Sequence, residues 1–347
     1  MQTNTTRDKT IDFIKGILIL FVILGHTTLG LTDMYSFDDT MNGIANVIYS
    51  FHMPCFIAVS GFLYSEYVGN VSQGIFSRIF HKAFNILLPY VMISVIYWII
   101  KFALSNLIRE PIAVSSLISI PWKPIEFLWY LYALFLIYCV AYMADYVFAR
   151  LLPHFNYKME LLFVLFLIIA FTCYGSFHYV GFNYIAGFQM YFYLGCLIKK
   201  WLDKLYNRYA VLSLAVMSVL VEPSGIVLQD DISSNPFFSS LFERLTACIV
   251  TVFIFAVSYF LSGYCDFPKW LQSIGRDSMP FYAMNVIFVG GIRIILNRAG
   301  ITNMALQCIC GFAGSTAICW ILYECIIKKI RFIDFIFYPG KQLHIRK

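Results

Sequence analysis

Lys15 and His26 stand eleven positions apart in the run IDFIKGILILFVILGHTTLG, whose other side chains are mostly apolar. On an α-helix that spacing returns both to one face and separates them by about 16 Å along the axis. Ionisable groups inside a membrane span are costly and mark a site by default. Histidine suits the task of taking a proton from a hydroxyl nucleophile at neutral pH. The plainer use of the same ring is a hydrogen bond to a neighbouring helix. Lys15 reads as an interfacial anchor or as a partner of Asp12, nearly one turn earlier.

Other polar residues recur where apolar ones are expected. In FHMPCFIAVSGFLYS, Pro54 interrupts the helical ladder just after His52, and Ser60-Gly61 allow close helix approach. In SRIFHKAFNILLPY, Arg78, His81, Lys82 and Asn85 fall at helical spacing and form a candidate phosphate-binding set. In PIEFLWYLYALF, Glu126, Trp129 and Tyr130 open another apolar run, the two rings also fitting an interfacial belt.

The elements that must carry these residues are membrane helices. The 347 residues are 60% hydrophobic and 13% charged, with mean hydropathy +0.75, far more apolar surface than a soluble domain requires. The expected fold class is all-α, a polytopic membrane helix bundle forming one domain over 1–347. Runs long enough to cross fall near 11–31, 42–66, 84–105, 125–147, 160–175, 184–198, 208–222, 241–262, 271–296 and 304–328, about ten transmembrane helices. The first reads as a span, not a cleavable signal, since no small-residue cleavage site follows it. With an inside N-terminus, nineteen of the 25 Lys and Arg fall on the cytoplasmic side, so both termini are expected there. The net charge of +6 is thus a topology signal and not a nucleic-acid footprint. Two outer loops have some length, Asn106 to Pro124 and Glu222 to Ser240, either an acceptor lid or an ordinary connection. Tyr174–Tyr184 suits an interfacial belt. The ten cysteines contain no CxxC pair and read as small apolar fillers, and the six histidines show no metal-ligand spacing.

Taken in order, these segments resemble the membrane-bound acyltransferase 3 family, in particular its sugar O-acetylase branch. The ordered set is a basic residue, ten residues and a histidine; FHMP then SGFL; a basic stretch ending LLPY; LWYLYALF; FQMYFYLGCLI; and IGRDSMPFYAMN. The resemblance implies that His26 is catalytic, that Lys15 is its basic partner, that Lys82 belongs to the acyl-donor phosphate site, and that Trp129 lines the pocket. Three positions depart from the family pattern: Lys15 stands where Arg is usual, Asn85 where a second basic residue is usual, and Asn285 where His is frequent.

The expected function is an integral membrane O-acyltransferase. It moves an acyl group, most simply acetyl, from acyl-CoA to a hydroxyl of a cell-surface glycan or lipid-linked sugar. Acetyl-CoA is the expected donor, with no cofactor permanently bound. Its phosphates are expected near Lys15, Arg78, Lys82 and Asn85, with the pantetheine arm following the first span to His26. Glu126 and Trp129 would receive the acceptor, with Ser60 and Tyr282 as orienting groups. The expected location is a bacterial plasma membrane. A proton-coupled carrier using His26 as relay is the competing class, though no matching halves are visible in the sequence. A non-catalytic relative that binds a ligand or partner is the third reading.

Overall fold

In a computed structural model of the chain, residues 7–32, 39–67, 74–103, 113–173, 175–177, 179–205, 209, 211–218 and 236–342 are described. Residues 106–112 of the Asn106–Pro124 loop, residues 222–235 of the Glu222–Ser240 loop, Tyr174 and the end of the 208–222 run lie outside them.

Helix α1 (Lys9–Thr32) starts where Asp8 caps it, its carboxylate accepting from the amides of Thr10 at 2.8 Å and Ile11 at 3.3 Å. Its threonines turn their hydroxyls back onto the helix: Thr27 bonds the carbonyl of Ile23 and Thr32 that of Thr28. This hides polar groups that lipid cannot solvate. Helix α2 (Asp39–Tyr67) runs through Pro54 without ending. Helix α3 (Ile75–Lys82) passes through a π-turn at Ala83–Leu87 into α4 (Leu88–Ala103). That turn sits just ahead of Pro89, whose ring and missing N–H cannot continue a regular ladder.

There follow α5 (Ser115–Ser119), a 3₁₀ turn at Glu126–Leu128, α6 (Trp129–Leu151), α7 (Lys158–Thr172), α8 (Val180–Lys200) and α9 (Leu202–Leu205). A helical stretch occupies 211–218. The chain continues as α10 (Pro236–Ser262), α11 (Lys269–Arg276), α12 (Ser278–Arg298), α13 (Met304–Leu322) with a π-turn at Tyr323–Ile327, α14 (Arg331–Phe337) and α15 (Pro339–Gln342).

Among the described residues there is no strand, and seven helices are long and apolar enough to cross a membrane. The fold class is all-α and the protein is a multi-pass membrane protein. The seven overlap seven of the expected runs, although 271–296 is divided at Asp277 between α11 and α12. Of the other three, 160–175 is the 15-residue α7, 184–198 lies in α8 with Asn183 and Gln189, and 208–222 leaves the described region.

Packing divides the chain into two compact units. The first comprises Met1–Leu63 and Leu194–Glu324; the second comprises Tyr64–Tyr193 and Cys325–Lys347. Helix α1 is the axis of the first unit, packed against α10, α11, α12 and α13 with Ile14, Leu18, Val22 and Ile23 buried. Its contact with α11 depends on two glycines: a Cβ at Gly16 would meet the carbonyl of Leu271, and one at Gly275 would meet that of Asp12. Small residues at such points let helix backbones touch. In the second unit α6 packs on α3 and the first π-turn, and Tyr64, Tyr138, Tyr142 and Phe192 gather their rings within 5.1 to 6.1 Å.

Candidate functional site

In the first unit α1 carries Lys15 and His26, both half-buried. The Nδ1 atom of His26 lies 3.0 Å from the hydroxyl of Tyr49, on α2. The two rings meet edge to face at 6.1 Å and 84°. Tyr49 in turn meets the ring of His52 at 4.9 Å and 90°. His52 is buried, and its Nδ1 lies 2.6 Å from the carbonyl of Ile48. A carbonyl only accepts, so Nδ1 of His52 carries the hydrogen. Gly25, beside His26, admits this arrangement: a Cβ there would lie 3.1 Å from Ile48 and 3.2 Å from the Tyr49 ring.

Ser60 donates to the carbonyl of Phe56 at 3.3 Å. Tyr282 is 5% exposed, and its carbonyl accepts from the Asn285 amide at 2.7 Å; Asn285 also donates to Phe281, and its carbonyl accepts from Ser315 at 3.2 Å. The hydroxyl of Ser60 and the side chain of Asn285 thus bond within their own helices. Asp12, a candidate partner for Lys15 in the sequence, accepts from Nε and Nη2 of Arg7 at 2.6 and 2.8 Å. Arg7 also donates to the carbonyl of Arg276 at 3.2 Å, tying the start of α1 to the end of α11.

In the second unit the guanidinium of Arg78 lies 4.2 Å over the ring of Tyr142 and 3.7 Å from the carboxylate of Asp145. Asp145 also accepts from Lys158 at 2.5 Å and from the Tyr64 hydroxyl. The ammonium of Lys82 sits 3.8 Å over Tyr138. Two cations are therefore set against aromatic faces, Arg78 with a carboxylate partner as well. Asn85 falls in the π-turn, so the α-helical spacing expected from Arg78 through Asn85 holds only to Lys82. The Asn85 amide donates to the carbonyl of His81 at 2.8 Å and packs against Gly340.

Glu126, also in this unit, accepts from the Tyr97 hydroxyl at 2.6 Å and is ion-paired to Lys101. Its φ of 43° is left-handed, which costs a non-glycine residue about 1 kcal/mol. Trp129 stacks on Tyr184 at 5.1 Å and meets Phe188 at 5.1 Å.

The sequence reading missed Tyr49, Asp145, Tyr97 and Lys101 as partners. Tyr49 lies three residues before His52, nearly one helical turn. Asp145 is an acid inside an apolar run, and that alone could have singled it out.

Residues 8–324 match the family model described as an acyltransferase domain. One similar relative is nodulation protein NolL of Mesorhizobium japonicum, 30% identical over 157 residues, 44% of this chain and 38% of the relative. Another is nodulation protein NolL of Sinorhizobium fredii, 38% identical over 84 residues, 24% of this chain and 22% of the relative. The matches thus span well under half of the length of these curated relatives. No solved structure matches.

Proposed function

The chain belongs to this acyltransferase family, and from that premise we propose that it is an integral membrane O-acyltransferase with His26 as its general base. The observation that carries the reading is His26 itself, set in a membrane span within the matched region and held at Nδ1 by Tyr49. His26 takes the proton of an acceptor hydroxyl as that oxygen attacks the thioester carbon. The carbon–sulfur bond breaks, the imidazolium returns its proton to the thiolate, and an ester and free CoA thiol leave.

The donor in this reading is acyl-CoA, most simply acetyl-CoA, and the acceptor a glycan or lipid-linked sugar. Lys15 marks the cytoplasmic end of α1, about 16 Å from His26, a rise comparable to a pantetheine arm. Arg78 and Lys82, cations on aromatic faces, are the candidates for donor phosphates, with Asn85 beside them. Trp129, stacked with Tyr184, offers a sugar-binding face, and Glu126 offers a carboxylate to sugar hydroxyls. Ser60 and Tyr282 are orienting groups. The reading keeps 1–347 as one functional domain, supported by a family match that runs through both units. Both termini inside a bacterial plasma membrane complete it, supported by the Lys and Arg distribution.

The test is donor dependence. Membranes containing the chain should move label from acetyl-CoA into a glycan or lipid fraction, and membranes lacking it should not. Label uptake without consumption of acyl-CoA would instead identify a carrier.

A further inference from the structure

An imidazole can act as a base only at the nitrogen that lacks a hydrogen, so the partner of the other nitrogen decides which one works. We propose that Tyr49 is the positioning residue that makes this choice for His26. Its hydroxyl oxygen accepts the Nδ1 hydrogen and leaves the basic lone pair on Nε2. The proposal rests on His26 being the base.

Three observations from two helices support it. The Tyr49 hydroxyl is 3.0 Å from Nδ1 of His26. Tyr49 is itself braced, edge to face, on the ring of His52, which is fixed through Nδ1 to the carbonyl of Ile48. Gly25 leaves room on α1 for Ile48 and Tyr49, each within 3.2 Å of where a Cβ would stand. The tyrosine is therefore held from one side by its own helix and admitted from the other by a missing methyl. When Nε2 takes the acceptor's proton, the ring becomes cationic and the Nδ1–H to Tyr49 bond strengthens. A partner placed in this way stabilises the charged ring formed during transfer more than the neutral ring before it.

The experiment uses the full chain, in detergent or nanodiscs, with ¹⁵N-labelled histidine. A difference spectrum against His26→Gln assigns the His26 nitrogens. The wild type should show the neutral ring with hydrogen on Nδ1, and Tyr49→Phe should mix or invert the two forms. In initial rates, Tyr49→Phe and Gly25→Ala should lower kcat by roughly tenfold or more, the scale for losing such a supporting bond, with KM for acetyl-CoA little changed. A wild-type ring with its hydrogen on Nε2 overturns the proposal, and that measurement needs no variant of Tyr49 to fold. So does a Tyr49→Phe protein with unaltered nitrogens and kcat. Undiminished transfer by His26→Ala would sink the catalytic reading instead, a result separate from the tautomer.

Discussion

Arg78 lies 3.7 Å from the carboxylate of Asp145, and the same carboxylate holds Lys158 and the hydroxyl of Tyr64. All three charged side chains are under 20% exposed. Removing the shared anion leaves two cations without compensation, and breaking a buried pair from one side costs about 3 kcal/mol. Asp145→Asn is therefore expected to lower the thermal midpoint of the purified protein clearly. Lys158→Met, which leaves Arg78 to balance Asp145, should lower it less. Circular dichroism melts in detergent compare the two.

If Arg78 and Lys82 take donor phosphates, their loss acts on binding before chemistry. Lys82→Ala should raise KM for acetyl-CoA roughly ten- to a hundredfold with kcat nearly kept, the pattern of a lost charged contact made equally in ground and transition states. Arg78→Lys keeps the charge but forfeits the guanidinium over the Tyr142 ring, so it should fall between wild type and Arg78→Ala. Initial rates over a range of acetyl-CoA concentrations read both.

The α1–α11 contact gives a prediction about packing alone. A Cβ at Gly275 would collide with the carbonyl of Asp12, a backbone atom that cannot swing aside, whereas one at Gly290 would meet nothing within 4 Å. Gly275→Ala should destabilise the protein by about 1–3 kcal/mol, and Gly290→Ala, inside helix α12, should not lower the melting midpoint.

Glu126 combines a left-handed backbone with partners for its carboxylate. Glu126→Ala loses the partners and keeps the strain; Glu126→Gly loses the partners and relieves it. The glycine variant should be the more stable of the two by about 1 kcal/mol, read from paired melts. The reverse order would contradict the backbone geometry at this position.

Much of this was legible in the residues. Helix α1, with Asp8 at its start and an uninterrupted aliphatic run, follows from composition and period alone. So does the apolar character of seven spans, because lipid demands it. The π-turn at Ala83–Leu87 was not legible, although Pro89 hinted at it, because one inserted residue per turn leaves no periodic trace over five residues. The left-handed Glu126 was hidden too, since no glycine or asparagine marks it. His26 was visible as an ionisable group in an apolar run. Tyr49 was not, because an aromatic ring on a membrane helix carries no signal until a partner on another helix is known. The division into two units left no mark in composition, as its boundaries fall inside α2, α8 and the π-turn at Tyr323–Ile327.

The central claim is that His26 takes the proton of the acceptor. The most direct measurement is transfer of labelled acetyl from acetyl-CoA by membranes carrying wild type or His26→Ala at matched expression. The account predicts transfer by the wild type and a loss of at least a hundredfold in the variant, the scale of removing a general base. Transfer by His26→Ala at the wild-type rate would contradict it.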